Sequence, residues 1–167
     1  MEEIKTKFEE IKKLCEDSIP EYGENSSYFG IGDTEEEILS WETQTGVKMP
    51  ETYREWLKLT KSCRILNNVA SFYLPEIEQP TFLPEDYIMI GNVVGDGEVM
   101  CFSKKNGSFM NYFEGKTTER YDDFDKVLQE ISRMITGEGC EISKEAEALF
   151  WQLVNNAKKR AKLKENK

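Results

Sequence analysis

The sequence predicts an α+β fold, a single domain in which an antiparallel sheet has helices packed before and after it. Three observations carry this. Apolar residues recur at helical spacing over the first 60 positions. Between Cys63 and Phe113 they fall into short runs separated by Pro and Gly. Helical spacing then returns after Asp122. With 167 residues the chain can bury a full core without disulfide or metal staples. Residues 1–157 are read as this domain and 158–167 as a basic C-terminal tail.

Ile4, Phe8, Ile11 and Leu14 share one helical face, so the N-terminus is predicted as an amphipathic helix ending near Pro20. Tyr22 to Gly32, rich in Gly, Asn and Ser, reads as a loop. Thr34 followed by Glu35, Glu36 and Glu37 has the form of a capping box, which starts a helix running to Thr45 before Gly46. Pro50 opens the next helix, with Tyr53, Trp56 and Leu57, and the two are expected to form a tight pair.

Strands are predicted at Ile65-Leu66, Ser71–Leu74, Tyr87–Ile90, Val99–Phe102 and Phe109–Phe113. Asp96-Gly97 and Asn106-Gly107 suit turns that need positive φ, so the last three strands should form an antiparallel meander. Pro75, Pro80 and Pro84 break the chain into an exposed acidic loop carrying Glu76, Glu78, Glu85 and Asp86. Phe124, Val127, Leu128, Ile131, Met134 and Ile135 make the most regular helical stripe in the chain, with Asp122 expected as its N-cap. A last helix is expected from Ser143, with Ala146, Leu149, Phe150, Leu153, Val154 and Ala157 on one face.

Charge and missing residue types exclude several functions. The chain has 22 basic against 32 acidic residues, a net charge of −10 and a pI near 4.7. That sign opposes direct nucleic-acid binding. The acids dominate residues 1–150, whereas residues 151–167 sum to +5. Zero histidines remove the commonest general base, the Ser-His and Cys-His pairs and the commonest transition-metal ligand. Cys15, Cys63, Cys101 and Cys140 lie 48, 38 and 39 residues apart, with no metal or redox spacing, and are expected as reduced core thiols. No apolar run reaches eighteen residues and the acidic start lacks a signal sequence, so no membrane partner is expected and a cytoplasmic location is.

Thr34 to Glu42, then Thr45-Gly46-Val47-Lys48-Met49-Pro50-Glu51-Thr52-Tyr53-Arg54-Glu55-Trp56-Leu57, resemble the opening signature of the SUKH superfamily, the group of yeast cell-wall regulators and bacterial immunity proteins. Ile90-Gly91 and the Gly95 to Phe102 stretch are similar to its central hairpin, and the helix after Asp122 falls where the family places one. The resemblance covers residues 34–135. Lys61-Ser62-Cys63-Arg64 departs from it, since the family pattern has an Asn-Gly pair there. The resemblance implies an α+β fold, no catalysis, and neutralisation of a cognate toxin, often a nuclease, by binding.

Each sharper reading of the residues has a plainer competitor. Trp41, Tyr53 and Trp56 suit binding anchors, but their helical spacing already accounts for them as core. Asp122-Asp123-Phe124-Asp125 invites a metal, yet acids belong at a helix N-terminus. Gly95-Asp96-Gly97-Glu98 lacks both the Lys-Ser/Thr of a phosphate loop and the alternating acids of a calcium loop. The basic tail reads as a solvated end. No catalytic residue, metal or cofactor is therefore expected. The acidic excess fits either solubility or a basic partner, such as a nuclease whose cleft must hold nucleic acid. The resemblance selects the second, with Glu76, Glu78, Glu85, Asp86, Asp96 and Glu98 as contacts. A regulatory protein-interaction scaffold without a toxin partner is the alternative, and a hydrolase using paired carboxylates is a third reading that no motif supports.

Overall fold

The computed structural model describes residues 2–93, 97–137, 148–149, 152–153 and 155–156. The chain divides into two compact units, 1–136 and 137–167. The first contains helices α1 (Glu2–Asp17), α2 (Ile19–Tyr22), α3 (Glu35–Thr45), α4 (Glu51–Leu59) and α5 (Phe124–Thr136). Its strands are β1 (Tyr28–Phe29), β2 (Ser62–Ile65), β3 (Ala70–Tyr73), β4 (Tyr87–Val93), β5 (Val99–Ser103), β6 (Phe109–Phe113) and β7 (Lys116–Tyr121). All seven strands form one antiparallel sheet in chain order. In the second unit Gly137 is in a turn, residues 148–149, 152–153 and 155–156 are helical, and Leu149 and Leu153 are exposed. The expected partners Ala146, Phe150, Val154 and Ala157, with Cys140 and the tail 158–167, lie outside the described residues.

Local signals explain the helices of the first unit. α1 buries Ile4, Phe8, Ile11 and Cys15, with Cys15 taking the inward place expected of Leu14. Pro20 sits in the first turn of the separate helix α2 and does not end α1. The capping box on α3 is complete: the Glu37 amide donates to the Thr34 hydroxyl (3.2 Å), and the Thr34 amide donates to the Glu37 carboxylate (2.7 Å). Gly46 takes the left-handed conformation that closes this helix, at φ +67°. α5 is capped one residue later than expected. The Asp123 carboxylate, not that of Asp122, accepts from the Lys126 amide (3.1 Å), while the Phe124 amide donates to the Thr52 hydroxyl of α4 (3.0 Å).

The expected tight α3–α4 pair is replaced by a different arrangement. α4 packs more extensively on α1 and α5 than on α3; with α3 it shares the core that holds Ile38 and Trp41, and ion pairs tie the two helices together. Arg54, nearly fully buried, reaches Glu35 and Glu42 of α3 at 2.5 Å each. Glu42 also accepts the Met49 amide (2.7 Å), so one carboxylate ties together α3, the connecting loop and α4.

One face of the sheet packs against these helices. Ile65, Phe72, Ile88, Ile90, Phe102 and Phe109 meet Trp41, Tyr53, Trp56, Phe124 and Leu128 in a single core. The aromatic residues weighed as anchors are thus core residues. Two strands had gone unread. β1 is only two residues long, and β7, Lys-Thr-Thr-Glu-Arg-Tyr, has no buried residue. The turn that leads into β7 places Glu114 and Gly115 at positive φ (46° and 81°), as a two-residue hairpin of this twist requires. The departing segment Lys61–Arg64 is the start of β2, paired with β1 and β3.

The opposite sheet face carries a smaller cluster of Val99, Cys101, Met110 and Tyr112, with Leu83, Tyr87 and Met89 packed against it. Cys15, Cys63 and Cys101 are buried and unpaired. Burial pushes the Cys63 and Cys101 thiols up to about 12, and it raises Cys15 as well, opposed by a hydrogen bond with Ser27. A thiol must ionise to act as a nucleophile. At pH 8 the native protein should therefore leave these three cysteines unalkylated by iodoacetamide while the urea-unfolded protein alkylates all of them. Peptide mass spectrometry checks this, and rapid native labelling of Cys63 or Cys101 would contradict their burial.

Candidate protein-binding site

The loop carrying four of the expected contact residues is positioned by the geometry of β4. β4 has a register shift between Met89 and Gly91 against β5. Gly91 is needed there, because a Cβ on it would stand 1.8 Å from the Ser71 carbonyl oxygen of β3. β3 ends at Tyr73. Core residue Tyr53 donates its hydroxyl proton to the Tyr73 carbonyl (2.7 Å), and the Ile90 carbonyl lies 3.3 Å away. The Met89 amide instead donates to the Gln79 side chain (2.7 Å), drawing the loop back onto the strand it precedes. Leu83 fastens the same loop to the outer sheet face. The loop is therefore a held element whose acidic residues point to solvent.

The five expected contact residues that are described do not form one patch. Glu76 and Glu78 leave the end of β3, and Glu85 and Asp86 precede β4, so all four belong to one end of the sheet. Asp86 pairs there with Lys105 of the β5–β6 turn (2.5 Å), and the Lys104 amide donates to its backbone carbonyl (2.8 Å). Glu98 lies at the opposite end of β4, where it accepts from the Thr118 hydroxyl. Seven residues of strand separate those ends, roughly 20 Å at about 3.3 Å per residue. Asp96 lies outside the described residues.

What the fold does bring together is the start of this loop and helix α3. Between them runs a groove of about 500 Å³. Its apolar lining comes from Trp41, Leu74, Pro75 and Ile77, and its polar lining from Glu36, Glu37, Ser40, Gln44 and Glu76. Trp41 is almost completely covered, whereas Ile77 is 52 % exposed, so the floor is firm and one apolar side chain stands free. The backbone and hydroxyl of Thr34 hold the Glu37 carboxyl below the usual carboxylate range. Among the described residues, Glu36, Glu76, Glu78 and Glu85 have no ion pair. The sequence reading assigned Glu36 and Glu37 only to helix capping. Their exposure was legible from the helical period, but their position beside residues 74–77 was not.

Chemically, this end of the molecule offers exposed negative charge on a rigid frame with an apolar groove beside it, the elements of a protein contact. Among the described residues no group of three or more His, Cys, Asp or Glu is placed to hold a metal ion. No helix among them is long and apolar enough to cross a membrane. A comparison with curated proteins gives no match. Residues 32–130, which span α3, α4, β2 to β7 and the first half of α5 and contain the whole groove, match the SMI1 / KNR4 family (SUKH-1). With more than half of the chain covered, this chain belongs to the SUKH-1 family.

Proposed function

We propose that this chain is an immunity-type protein of the cytoplasm that binds a cognate toxin and neutralises it by occlusion, acting by association and not by turnover. The toxin is a basic domain, in the simplest case a nuclease, because a cleft that holds nucleic acid must be positive and an acidic partner competes for it directly. Membership of the SUKH-1 family supports the immunity-type reading. The observation that carries the choice of partner is the set of unpaired, exposed carboxylates of Glu76, Glu78 and Glu85 on a loop held by Gln79 and Leu83. Loops fixed on a rigid scaffold are where binding residues concentrate.

Charge of this kind acts mainly on the association rate. Reversing Glu85 and Asp86 to Lys should therefore slow association with the product of the neighbouring toxin gene and weaken protection from it. Raising ionic strength should slow the unaltered pair too, since salt screens charges beyond about 8 Å at physiological strength. Stability should change by no more than about 1 kcal/mol, because both residues are solvent-facing and the Asp86–Lys105 pair is exposed. Stopped-flow association and thermal melts measure both quantities. An unchanged association rate at low salt would sink the acidic-loop assignment, and a neighbouring gene product that neither binds nor is inhibited would favour the regulatory scaffold.

A further inference from the structure

We infer that the groove between α3 and residues 74–77 receives a short linear segment of the partner, one that carries an apolar side chain flanked by lysines or arginines. This deepens the toxin-binding reading and rests on it for the identity of the partner, although the groove's chemistry stands by itself. Two properties of the groove select the segment. Its apolar surface, made by Trp41, Leu74, Pro75 and Ile77, is unpartnered at Ile77, which leaves half of its surface in water. Covering that side chain with another apolar group is favourable in proportion to the area removed from water. The polar residues around it are Ser40 and Gln44, neutral, and Glu36, Glu37 and Glu76, of which Glu36 and Glu76 lack a cationic partner among the described residues.

Other occupants fit less well. A small-molecule site has a few convergent polar groups inside a concave apolar wall. Here the charged groups are solvent-facing carboxylates on two separate elements and do not converge inside an enclosed wall. The acidic body of a second copy of this protein would set like charge against like charge, which repel across an interface, and only its basic tail, residues 158–167, carries the opposite sign. Nucleic acid and anionic lipid are opposed by the same sign. An apolar anchor with a cationic surround matches the floor and the rim together, in the arrangement of an interface core inside a polar rim.

The test uses a fluorescein-labelled peptide of two leucines flanked on each side by two lysines, read by anisotropy against the full-length protein. Two comparison peptides replace the leucines by serine or the lysines by glutamate. The leucine–lysine peptide should bind, and both comparison peptides should bind at least tenfold more weakly. The double variant Glu36→Lys, Glu76→Lys and the single variant Ile77→Ser should each lose at least tenfold in affinity for it. All three positions are exposed and none belongs to the core, so circular dichroism should show the fold retained. Glu85→Lys should leave this affinity within twofold. Amide shifts on titration should centre on residues 36–44 and 74–77.

Equal affinity for the serine peptide would overturn the inference by reducing the contact to charge alone, as would an affinity unchanged by Ile77→Ser. The groove and the immunity reading fail separately. A toxin bound and neutralised equally well by the groove variants removes the groove and leaves the immunity reading. A peptide seated in the groove of a protein that protects against no toxin removes the immunity reading and leaves the groove.

Discussion

Replacing Trp56 by Ala is expected to destabilise the protein by about 3 to 5 kcal/mol, the range for emptying a fully buried large aromatic site. Trp56 has no exposed surface and packs edge-on against Phe8 of α1 (5.5 Å between ring centroids), Phe72 of β3 (6.1 Å) and Phe124 of α5 (5.5 Å). One indole thus joins two helices and the sheet to α4, and its loss opens a cavity that three separate elements would have to collapse into. At this chain length the loss corresponds to a melting point lower by roughly 6 to 20 °C. Trp56→Phe should cost much less, since it keeps a ring in place and removes the indole Nε1–H, which is buried without a hydrogen-bond partner. Phe82→Ala, at a site 61 % exposed, should leave the melt nearly unchanged. Thermal and urea unfolding of the three variants measure this order. A Trp56→Ala protein that melts within a few degrees of the parent would mean that the α1–α4–α5 packing is not what holds the fold.

The second large effect is expected at Gly91, where Ala should cost about 3 kcal/mol or more and disrupt the β3–β4 pairing. The added methyl would stand 1.8 Å from the Ser71 carbonyl oxygen and 2.9 Å from its carbon. Both are backbone atoms in a paired strand, held by the Ser71–Asn92 and Phe72–Gly91 register, so no side chain can swing aside to make room. Overpacking of even flexible core sites costs about 1 to 3 kcal/mol. Relief here requires β3 to separate from β4, which also displaces the Tyr73 carbonyl that Tyr53 holds and the loop that Gln79 anchors. Gly46→Ala supplies the contrast. Gly46 has φ +67° and no atom within 4 Å of an added Cβ, so its cost is the left-handed backbone alone, about 1 kcal/mol. Urea melts of the two variants should differ by at least about 2 kcal/mol, and equal costs would remove steric closeness as the reason for glycine at position 91. Since Gly91 positions the acidic loop, its variant should also lose partner association at temperatures where it remains folded.

How far these features could be read in advance differs from element to element. Thr34, Glu37 and Gly46 specify α3 to the residue, because capping and a left-handed stop are interactions between near neighbours in the chain. The stripe of Phe124, Val127, Leu128 and Ile131 specifies α5 for the same reason, and all four are buried. β7 escaped notice because an edge strand with no buried residue has no apolar alternation to display. α3 and α4 were expected side by side because they are adjacent in sequence, but the apolar face of α4 is better covered by α1 and α5, leaving a buried Arg54 to join it to α3.

The acidic residues show the division most clearly. Composition alone determined that the molecule is negative, because net charge is a sum that does not depend on where the chain goes. Which carboxylates share a surface depends on sequence separations that only folding closes. The meander carries Glu98 to the far end of β4 from Glu85 and Asp86, and it sets Glu76 beside Glu36, forty positions earlier, across an apolar groove. Local interactions therefore determined the helices, most of the strands and the sign of the charge. Long-range packing, through the β4 bulge at Gly91 and the Tyr53 and Gln79 hydrogen bonds, decided where that charge stands and what stands next to it.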